Sequence, residues 1–341
     1  RSIAFVSKRD DDKTPQIYRI AIDGGEAQRV TQLPTGADAP KWFPDGRRIA
    51  FVSSIWPDLV RWEDQAVRLE ERAESKVSAR VWDKAPIAYW DRYLDDTEPH
   101  LFSVDVADGS LIAISRLSGF HLSKSEYSAS SYDISPDGLE IAFAANTDKS
   151  GVAPNYDLIT LETCGCKPAM NSTADNPADE GSPAYSPDGR WLAWSAQSIP
   201  GFYADRARLM LLDRTSGVAR SLSGDWDRSV GEIIWRGDSK AAYSAVDDAA
   251  THRIYRFDLN APGKPVAITA SSSFGALAVA RRGGAKPLAV ALRQSFTEPP
   301  TLVRLDLVNG QAVKLSSFND STLAGIDFGT VESVNYPGAG G

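Results

Sequence analysis

The stretch Phe43-Pro44-Asp45-Gly46-Arg47-Arg48-Ile49-Ala50-Phe51-Val52-Ser53 joins a tight turn to a strand. Pro44 fixes φ, Asp45 can accept a hydrogen bond from the backbone that follows it, and Gly46 supplies the positive φ that closes the turn. The β-branched and aromatic residues after the turn are typical of a strand. The pattern predicts the first hairpin of a repeated unit, and its turn recurs at residues 135–138, 186–189 and 237–240, with a degraded copy at Gly283-Gly284-Ala285-Lys286.

A second hairpin pattern lies downstream of these turns and consists of a strand, a Gly turn and another strand. The earliest copy reads Gln16-Ile17-Tyr18-Arg19-Ile20 before Asp23-Gly24-Gly25. The first strands of five further copies lie at residues 101–105, 157–161, 209–213, 254–258 and 302–306. Each complete unit is therefore expected to hold four strands.

The spacing of the units indicates the fold. Positions equivalent to Arg47 fall at 139, 190, 240 and 286, so successive units are 92, 51, 50 and 46 residues apart. Four short strands in every ~40–50 residues are typical of a β-propeller blade, whereas tandem β-sandwich domains need ~100 residues each. We therefore predict an all-β fold, with a β-propeller over residues 1–317.

The first residues of the sequence repeat the stretch quoted above, one unit earlier. Residues 1–7 match residues 47–53 with one difference, which places residue 1 at the second strand of a blade. The sequence thus predicts five complete blades and one partial blade without its inner strand. We expect seven blades in the intact protein. A six-blade ring, whose missing strand comes from residues 323–328 or 331–336, is the alternative.

One interval is twice as long as the others because residues 54–98 form an insertion between two strands of a blade. Pro57 and Asp58 are typical of a helix start, and apolar residues then recur with helical spacing. We predict a helix over about 58–78, with an apolar face made of Leu59, Trp62, Ala66, Leu69, Ala73 and Val77. Since neighbouring strands alternate in direction, the insertion is expected on the face opposite the Pro-Asp-Gly turns.

Composition and charge argue against several functional classes. Lys and Arg number 37 against 45 Asp and Glu, a net charge of −8. A nucleic-acid partner is therefore not expected, because phosphate binding needs clustered positive charge. No apolar run approaches ~18 residues, so no membrane span is predicted. The two cysteines, Cys164 and Cys166, favour an ordinary turn or a local disulfide over part of a metal site.

No catalytic centre can be recognised in the sequence. No serine lies in the Gly-x-Ser-x-Gly pattern of an acyl-transfer nucleophile. His100, His121 and His252 occur singly at strand starts or in loops, without a second ligand at helical spacing, and a lone loop histidine is usually solvated. The sequence therefore predicts no catalytic residue, no metal site and no cofactor in this chain.

Four motifs follow one another along the chain: Gln16-Ile17-Tyr18, Lys41-Trp42 before the quoted turn, Trp56-Pro57-Asp58-Leu59 at the start of the insertion, and Tyr89-Trp90-Asp91 near its end. Their arrangement resembles the prolyl oligopeptidase family of serine peptidases, especially its acylaminoacyl-peptidase and dipeptidyl-peptidase-like branch. The turn repeat alone also occurs in TolB propellers. The resemblance implies a seven- or eight-bladed propeller over an α/β-hydrolase domain that carries the catalytic Ser, Asp and His. Residues 318–341 resemble the tail that leads into that domain, which is absent from this sequence.

The resemblance implies that this chain filters and docks substrates for a serine exopeptidase or oligopeptidase that hydrolyses short peptides. Glu70 and Glu71 resemble the glutamate pair with which dipeptidyl peptidases hold a free α-amine. A solvated acidic helix face is the alternative reading of that pair. Trp82, Tyr89 and Trp90 are expected either to line an apolar side-chain pocket or to pack the insertion onto its blade.

The partners implied are the hydrolase domain, in the same or a separate polypeptide, and a short peptide, with a homo-oligomer also allowed. A non-enzymatic, TolB-like propeller that binds a peptide or a protein is the alternative function. The sequence leaves the peptide specificity open, and also the compartment, which is either periplasm or cytoplasm.

Overall fold

The computed structural model describes residues 1–9, 11–82, 87–148, 150, 155–280 and 287–340. The chain divides into two compact units, residues 1–233 and 234–341, which are described in turn. Antiparallel strands make up nearly all of the regular structure in both. Within the described ranges no helix has the length and apolar character needed to cross a membrane.

The first unit begins with two sheets. The first sheet has three strands, β1 (Ser2–Ser7), β2 (Gln16–Ala21) and β3 (Gln28–Arg29), in sequence order. The second begins with β4 (Asp38–Trp42) and β5 (Arg48–Ile55), continues after an insertion that holds α1 (Trp62–Glu74), β6 (Ala88–Tyr89) and β7 (Arg92–Tyr93), and ends with β8 (Glu98–Asp105) and β9 (Leu111–Ala113).

Two further four-stranded sheets complete the first unit. A 3₁₀ turn at Ala129–Ser131 leads into the third sheet, which contains β10 (Tyr132–Ile134), β11 (Glu140–Asn146), β12 (Tyr156–Glu162) and β13 (Met170–Asn171). The fourth contains β14 (Glu180–Tyr185), β15 (Trp191–Ala196), β16 (Arg208–Asp213) and β17 (Val218–Ser221).

The turns that carried the sequence argument have the expected geometry. Gly46, Gly138 and Gly189 have φ between 69° and 73°. In each turn the Asp side chain accepts a hydrogen bond from the backbone two residues on, as from Asp45 Oδ1 to Arg47 N at 2.8 Å. The copy at residues 237–240, which has no glycine at the closing position, places Ser239 at φ 60°, a conformation that costs a residue with a Cβ more than it costs glycine.

Side chains connect the inner strands of neighbouring sheets in the first unit. Lys41 Nζ, on β4, lies 3.0 Å from Asp133 Oδ1, on β10. The other carboxylate oxygen of Asp133 accepts the backbone N–H of Tyr185, on β14, at 2.8 Å. Buried Tyr132 adds a hydrogen bond from its hydroxyl to the carbonyl of Ala39 at 2.6 Å. Three successive sheets are thus joined through two adjacent residues.

The insertion helix is shorter than predicted, since it runs from residue 62 to residue 74 rather than from about 58 to 78. Pro57 and Asp58 lie in a turn closed by a hydrogen bond from Leu59 N to Trp56 O. The single buried residue of the helix is Gln65, whose side chain bonds to both backbone groups of Trp56 at 3.0 and 2.8 Å. The start of the helix is fixed by these hydrogen bonds of Gln65 and by the packing of Trp62 on Phe102. The later apolar positions Ala73 and Val77 are exposed, so no packing extends the helix.

The second unit contains two four-stranded sheets. One has β18 (Ile234–Trp235), β19 (Ala241–Asp248), β20 (Thr251–Asp258) and β21 (Val266–Ala267), and the other has β22 (Ser273–Val279), β23 (Leu288–Ser295), β24 (Glu298–Asp306) and β25 (Ala312–Lys314). The degraded turn at 283–286 lies outside the described residues. The tail holds the short helix α2 (Asp320–Leu323), and no strand is formed over residues 324–340.

The described sheets agree with the blade count of the sequence. Five have four strands, and the first lacks the inner strand that the others possess. The prediction of five complete blades and one partial blade is therefore confirmed. The expectation of seven blades in the intact protein stays a prediction.

Glu180, at the start of β14, is a buried carboxyl group, with 5% of the residue exposed. Burial raises its pKa to about 8, and the negative charges of Asp157 and Asp179 act in the same direction. Hydrogen bonds from Asn176 and Thr173 oppose this rise without cancelling it. Glu180 is therefore largely protonated in the folded protein at neutral pH.

We expect Glu180→Gln to make the folded protein more stable than the wild type as the pH rises. An unfolded Glu has a pKa near ~4.3, so between that pH and about 8 folding requires proton uptake, which costs about 1.4 kcal/mol for each pH unit. The neutral amide of Gln takes up no proton on folding, so the variant does not have this pH-dependent cost. Urea unfolding from pH 5 to 8 measures it, with Glu63→Gln, on the exposed side of α1, as the control. Parallel pH profiles for Glu180→Gln and the wild type would contradict the assignment.

Candidate functional site

An open groove of about 1380 Å³ borders the insertion in the first unit. Its walls come from the insertion, the start of β8, the connection from β9 to β10, and the end of β11. These segments all lie at the strand ends opposite the Pro-Asp-Gly turns, because antiparallel strands alternate in direction. The groove is therefore on the face where the insertion was expected.

One carboxylate in the groove lies between two imidazole rings. Glu98 and His100 share a face of β8, since side chains two residues apart point the same way along a strand. Nε2 of buried His100 is 3.4 Å from Oε2 of Glu98, and Nε2 of His121 is 3.9 Å from Oε1. The two rings meet edge to face, with centroids 6.1 Å apart.

Both histidines use Nδ1 for contacts on the side away from this carboxylate. His121 Nδ1 lies 2.6 Å from the carbonyl oxygen of Leu122, which only accepts, so this nitrogen carries a proton. His100 Nδ1 lies 3.1 Å from Ser115 Oγ, which already accepts a backbone N–H at 2.8 Å. The Ser115 hydroxyl can then donate to His100, which leaves the proton on His100 Nε2. That buried nitrogen has no regular hydrogen bond among the described residues, because its contact with the carboxylate is long and poorly aligned.

The charges of this cluster follow from its surroundings. The contact with His100 is the largest influence on Glu98 and lowers the pKa of its carboxyl group, with further lowering from His121 and Lys124 against the effect of burial. Burial lowers the pKa of His121. At neutral pH Glu98 is therefore ionised and His121 is neutral. The carboxylate and Nε2 of His121 are then two hydrogen-bond acceptors 3.9 Å apart, and both suit the N–H donors of an ammonium group.

An aromatic pair from the insertion lines the same groove. Trp82 packs on Tyr93 with ring centroids 5.1 Å apart, and its Nε1 donates to the carbonyl of Leu94 at 2.9 Å. The guanidinium of Arg80 lies over the Tyr93 ring at 5.2 Å. Trp82 thus lines the groove and packs against another residue of the insertion, and the role suggested for it stays a prediction.

The other predicted site residues lie outside this groove lining. Glu70 faces Lys13 at 3.5 Å, with both side chains largely exposed, and Glu71 is exposed beside it. Tyr89 donates its hydroxyl to Glu126 at 3.0 Å, and Trp90 is 95% exposed at the tip of the β6–β7 hairpin. The roles suggested for these four residues stay predictions.

Sequence reasoning missed the central cluster. His100 is 2% exposed, so the expectation of a solvated side chain is wrong for this histidine. The spacing of Glu98 and His100 by two residues at a strand start was the available signal, because it places both side chains on one face of β8. No sequence pattern around His121 indicated that it belongs to the cluster. It lies in the connection that follows β9 and approaches Glu98 from there.

Comparison with known proteins shows what the chain as a whole is similar to. No family model matches the chain. Dipeptidyl-peptidase 5 of Porphyromonas gingivalis is 24% identical over 369 residues, a match that covers 94% of this chain and 53% of that protein. Dipeptidyl-peptidase 5 of Porphyromonas endodontalis is 27% identical, with 95% and 52% covered. The chain spans about half the length of these curated relatives.

Solved structures support the fold. Acylaminoacyl peptidase of Pyrococcus horikoshii superposes with a TM-score of 0.65 at 14% identity, covering 96% of this chain and 45% of that one. The β-propeller domain of the Trilobed protease from Pyrococcus furiosus gives a TM-score of 0.59 at 14% identity, covering 95% and 81%. The chain is therefore an all-β propeller, and its resemblance to the propeller portion of the prolyl oligopeptidase family is confirmed.

We expect Glu98→Gln to lower the free energy of unfolding by about 1 kcal/mol at pH 7, because the amide loses the charge that the N–H of His100 and the ammonium of Lys124 attract. Since the folded pKa of Glu98 is lowered, its contribution exists above the unfolded value near ~4.3 and is lost as the pH falls through the folded value. Urea unfolding between pH 3 and 7 measures the difference, with Glu74→Gln as the exposed control. A difference that does not shrink in acid would contradict this account.

Proposed function

We propose that this chain is the substrate-filtering and docking propeller of a serine exopeptidase that hydrolyses short peptides, with its catalytic Ser, Asp and His on an α/β-hydrolase domain outside the chain. The observation that carries the proposal is the similarity to two proteins named dipeptidyl-peptidase 5 along 94% and 95% of this sequence. Both are about twice as long as this chain, which leaves room for a catalytic domain.

The groove supplies what such a propeller needs to hold the end of a peptide. A free α-ammonium carries three N–H donors. Glu98 supplies an anionic acceptor for them, and Nε2 of His121 supplies a neutral acceptor 3.9 Å away. A charge-assisted hydrogen bond in a partly buried groove is stronger than one in water. Trp82 and Tyr93 form an apolar wall in the same groove, where a peptide side chain can pack.

Glu70 and Glu71 are the second candidate for the amine site. They are the residues that the resemblance implies, but both are exposed, and solvent screening weakens charge–charge interactions at exposed positions. Glu98 is half-buried and its pKa is lowered, so its carboxylate is better prepared to bind an ammonium group. We therefore assign the larger share of amine recognition to Glu98.

The reading frame that encodes this chain gives the first test. We expect it to continue past Gly341 into a Gly-x-Ser-x-Gly motif within ~150 residues, followed by Asp and then His, the order of α/β-hydrolases. A frame that ends at Gly341, with no hydrolase partner encoded nearby, would overturn the enzymatic proposal. It would favour a binding propeller of the TolB kind.

Kinetics on the polypeptide that holds both domains give the second test. We expect Glu98→Gln to raise KM about tenfold for peptides with a free N-terminus and to leave N-acylated peptides unaffected, because one charge-assisted hydrogen bond is worth about 1.4 kcal/mol or more. Glu70→Gln and Glu71→Gln test the alternative amine site in the same assay, with Glu74→Gln as the control. Equal changes for free and acylated peptides would exclude the substituted carboxylate as an amine anchor.

A further inference from the structure

The turn between β12 and β13 holds a disulfide that does little for the fold. Cys164 and Cys166 are joined across a single residue, so the bond closes a very small loop and restricts the unfolded chain little. Other contacts define the turn. Gly165 N donates to Glu162 O at 3.0 Å, and Thr163 donates from its N–H to Leu139 O at 3.0 Å and from its hydroxyl to Gly138 O at 2.8 Å.

The neighbouring sheet also holds this turn in place. Gly165 has a φ of 62°, and a Cβ at this position would lie 2.3 Å from the carbonyl oxygen of Ala113, at the end of β9. Only glycine can approach the neighbouring backbone so closely. None of these contacts involves a sulfur atom, so we expect the turn to keep its shape when the disulfide opens, and both cysteines are exposed to solvent.

A third metal-ligating group completes the cluster. The carboxylate of Glu162 and the sulfur atoms of Cys164 and Cys166 all lie within 4.8 Å of one another. Cys164 Sγ is 3.7 Å from Glu162 Oε2, and it accepts the backbone N–H of Cys166 at 3.2 Å. That N–H favours a negative charge on Cys164 once the disulfide is open. Lys167 pairs with Glu162 and is largely exposed, so an arriving cation can displace it.

We propose that the reduced form of this turn is a metal site, in which the thiolates of Cys164 and Cys166 and the carboxylate of Glu162 bind Zn²⁺ or a similar thiophilic divalent ion. Zn²⁺ takes thiolate and carboxylate ligands in a tetrahedral set, and solvent supplies the fourth ligand at this exposed position. The oxidised form does not bind the ion, because its sulfur atoms are bonded to each other. The site is therefore controlled by the redox state of one disulfide and does not depend on the proposed peptidase function.

The opening step is ordinary thiol–disulfide exchange with a dithiol. A thiolate of the dithiol attacks Cys166 Sγ, the Cys164–Cys166 bond breaks, and the electron pair leaves on Cys164, where the Cys166 N–H stabilises it. The second thiolate of the dithiol then attacks the dithiol sulfur atom that is bonded to Cys166. This attack closes the disulfide of the dithiol and releases Cys166 as a thiolate. The dithiol is oxidised to its disulfide, and the two cysteines gain two electrons and two protons. Metal binding afterwards releases the thiol protons.

Cd²⁺ titration of the full chain tests the site, since thiolate-to-Cd²⁺ charge transfer is visible in the ultraviolet. We expect chain reduced with dithiothreitol and freed of it without air to bind one Cd²⁺, which Zn²⁺ competes away, and oxidised chain to show no band. Cys164→Ser and Cys166→Ser should each abolish the band, and Glu162→Gln should weaken binding about tenfold. Glu74→Gln is the matched carboxylate control. Lys167→Met, which frees Glu162, should tighten binding.

Two results would overturn the proposal. One is a reduced wild type that shows no more charge transfer than the Cys164→Ser/Cys166→Ser double variant. The other is a Glu162→Gln variant that binds as tightly as the wild type, which would remove the carboxylate from the site. Far-ultraviolet circular dichroism of each variant establishes that the sheets are intact, so that a lost band reports lost ligands rather than lost folding.

Discussion

In the first unit, the carboxylate of Asp133 connects three sheets that share no backbone ladder with one another. One oxygen faces the ammonium of Lys41 and the other accepts the N–H of Tyr185, so that β4, β10 and β14 are fixed at their inner strands. Without this carboxylate, the Tyr185 amide would lose its partner and the Lys41 ammonium would keep only the carbonyl oxygen and the ring of Tyr132. Leaving a partly buried amide without an acceptor is more costly than the loss of the contact itself. Apolar packing between the sheets contributes most of the stabilisation, but it does not by itself select one alignment of the sheets relative to each other.

The groove depends on a buried residue in the connection that follows β9. His121 is placed beside Glu98 because the next residue, Leu122, is fully buried and its N–H donates to the carbonyl of Pro99 at 3.0 Å. The connection that follows β9 is thus hydrogen-bonded to the start of β8. This contact places the imidazole of His121 next to the carboxylate of Glu98. The cluster that we propose as an amine site is thus positioned by one buried side chain and one backbone hydrogen bond.

Features set by neighbouring residues were predictable from the sequence. The Pro-Asp-Gly turns and their strands follow from local backbone preferences, and the spacing of the turns indicated the blades. Helix α1 was predicted too long because helical spacing of apolar residues says nothing about whether a partner surface exists, and no such surface covers Ala73 or Val77. Contacts such as Lys41 with Asp133, which lie 92 residues apart, leave no local pattern. The same holds for His121 with Glu98.

The protonated carboxyl group of Glu180 has a consequence for the charge of the whole molecule. The formal net charge of −8 counts every Asp and Glu as ionised, so the folded protein at neutral pH carries about one negative charge fewer than its composition states. Folding near pH 7 therefore withdraws a proton from the buffer. The apparent enthalpy of unfolding will then include the ionisation enthalpy of whichever buffer is present, and two laboratories working in phosphate and in Tris will obtain different calorimetric values for the same molecule.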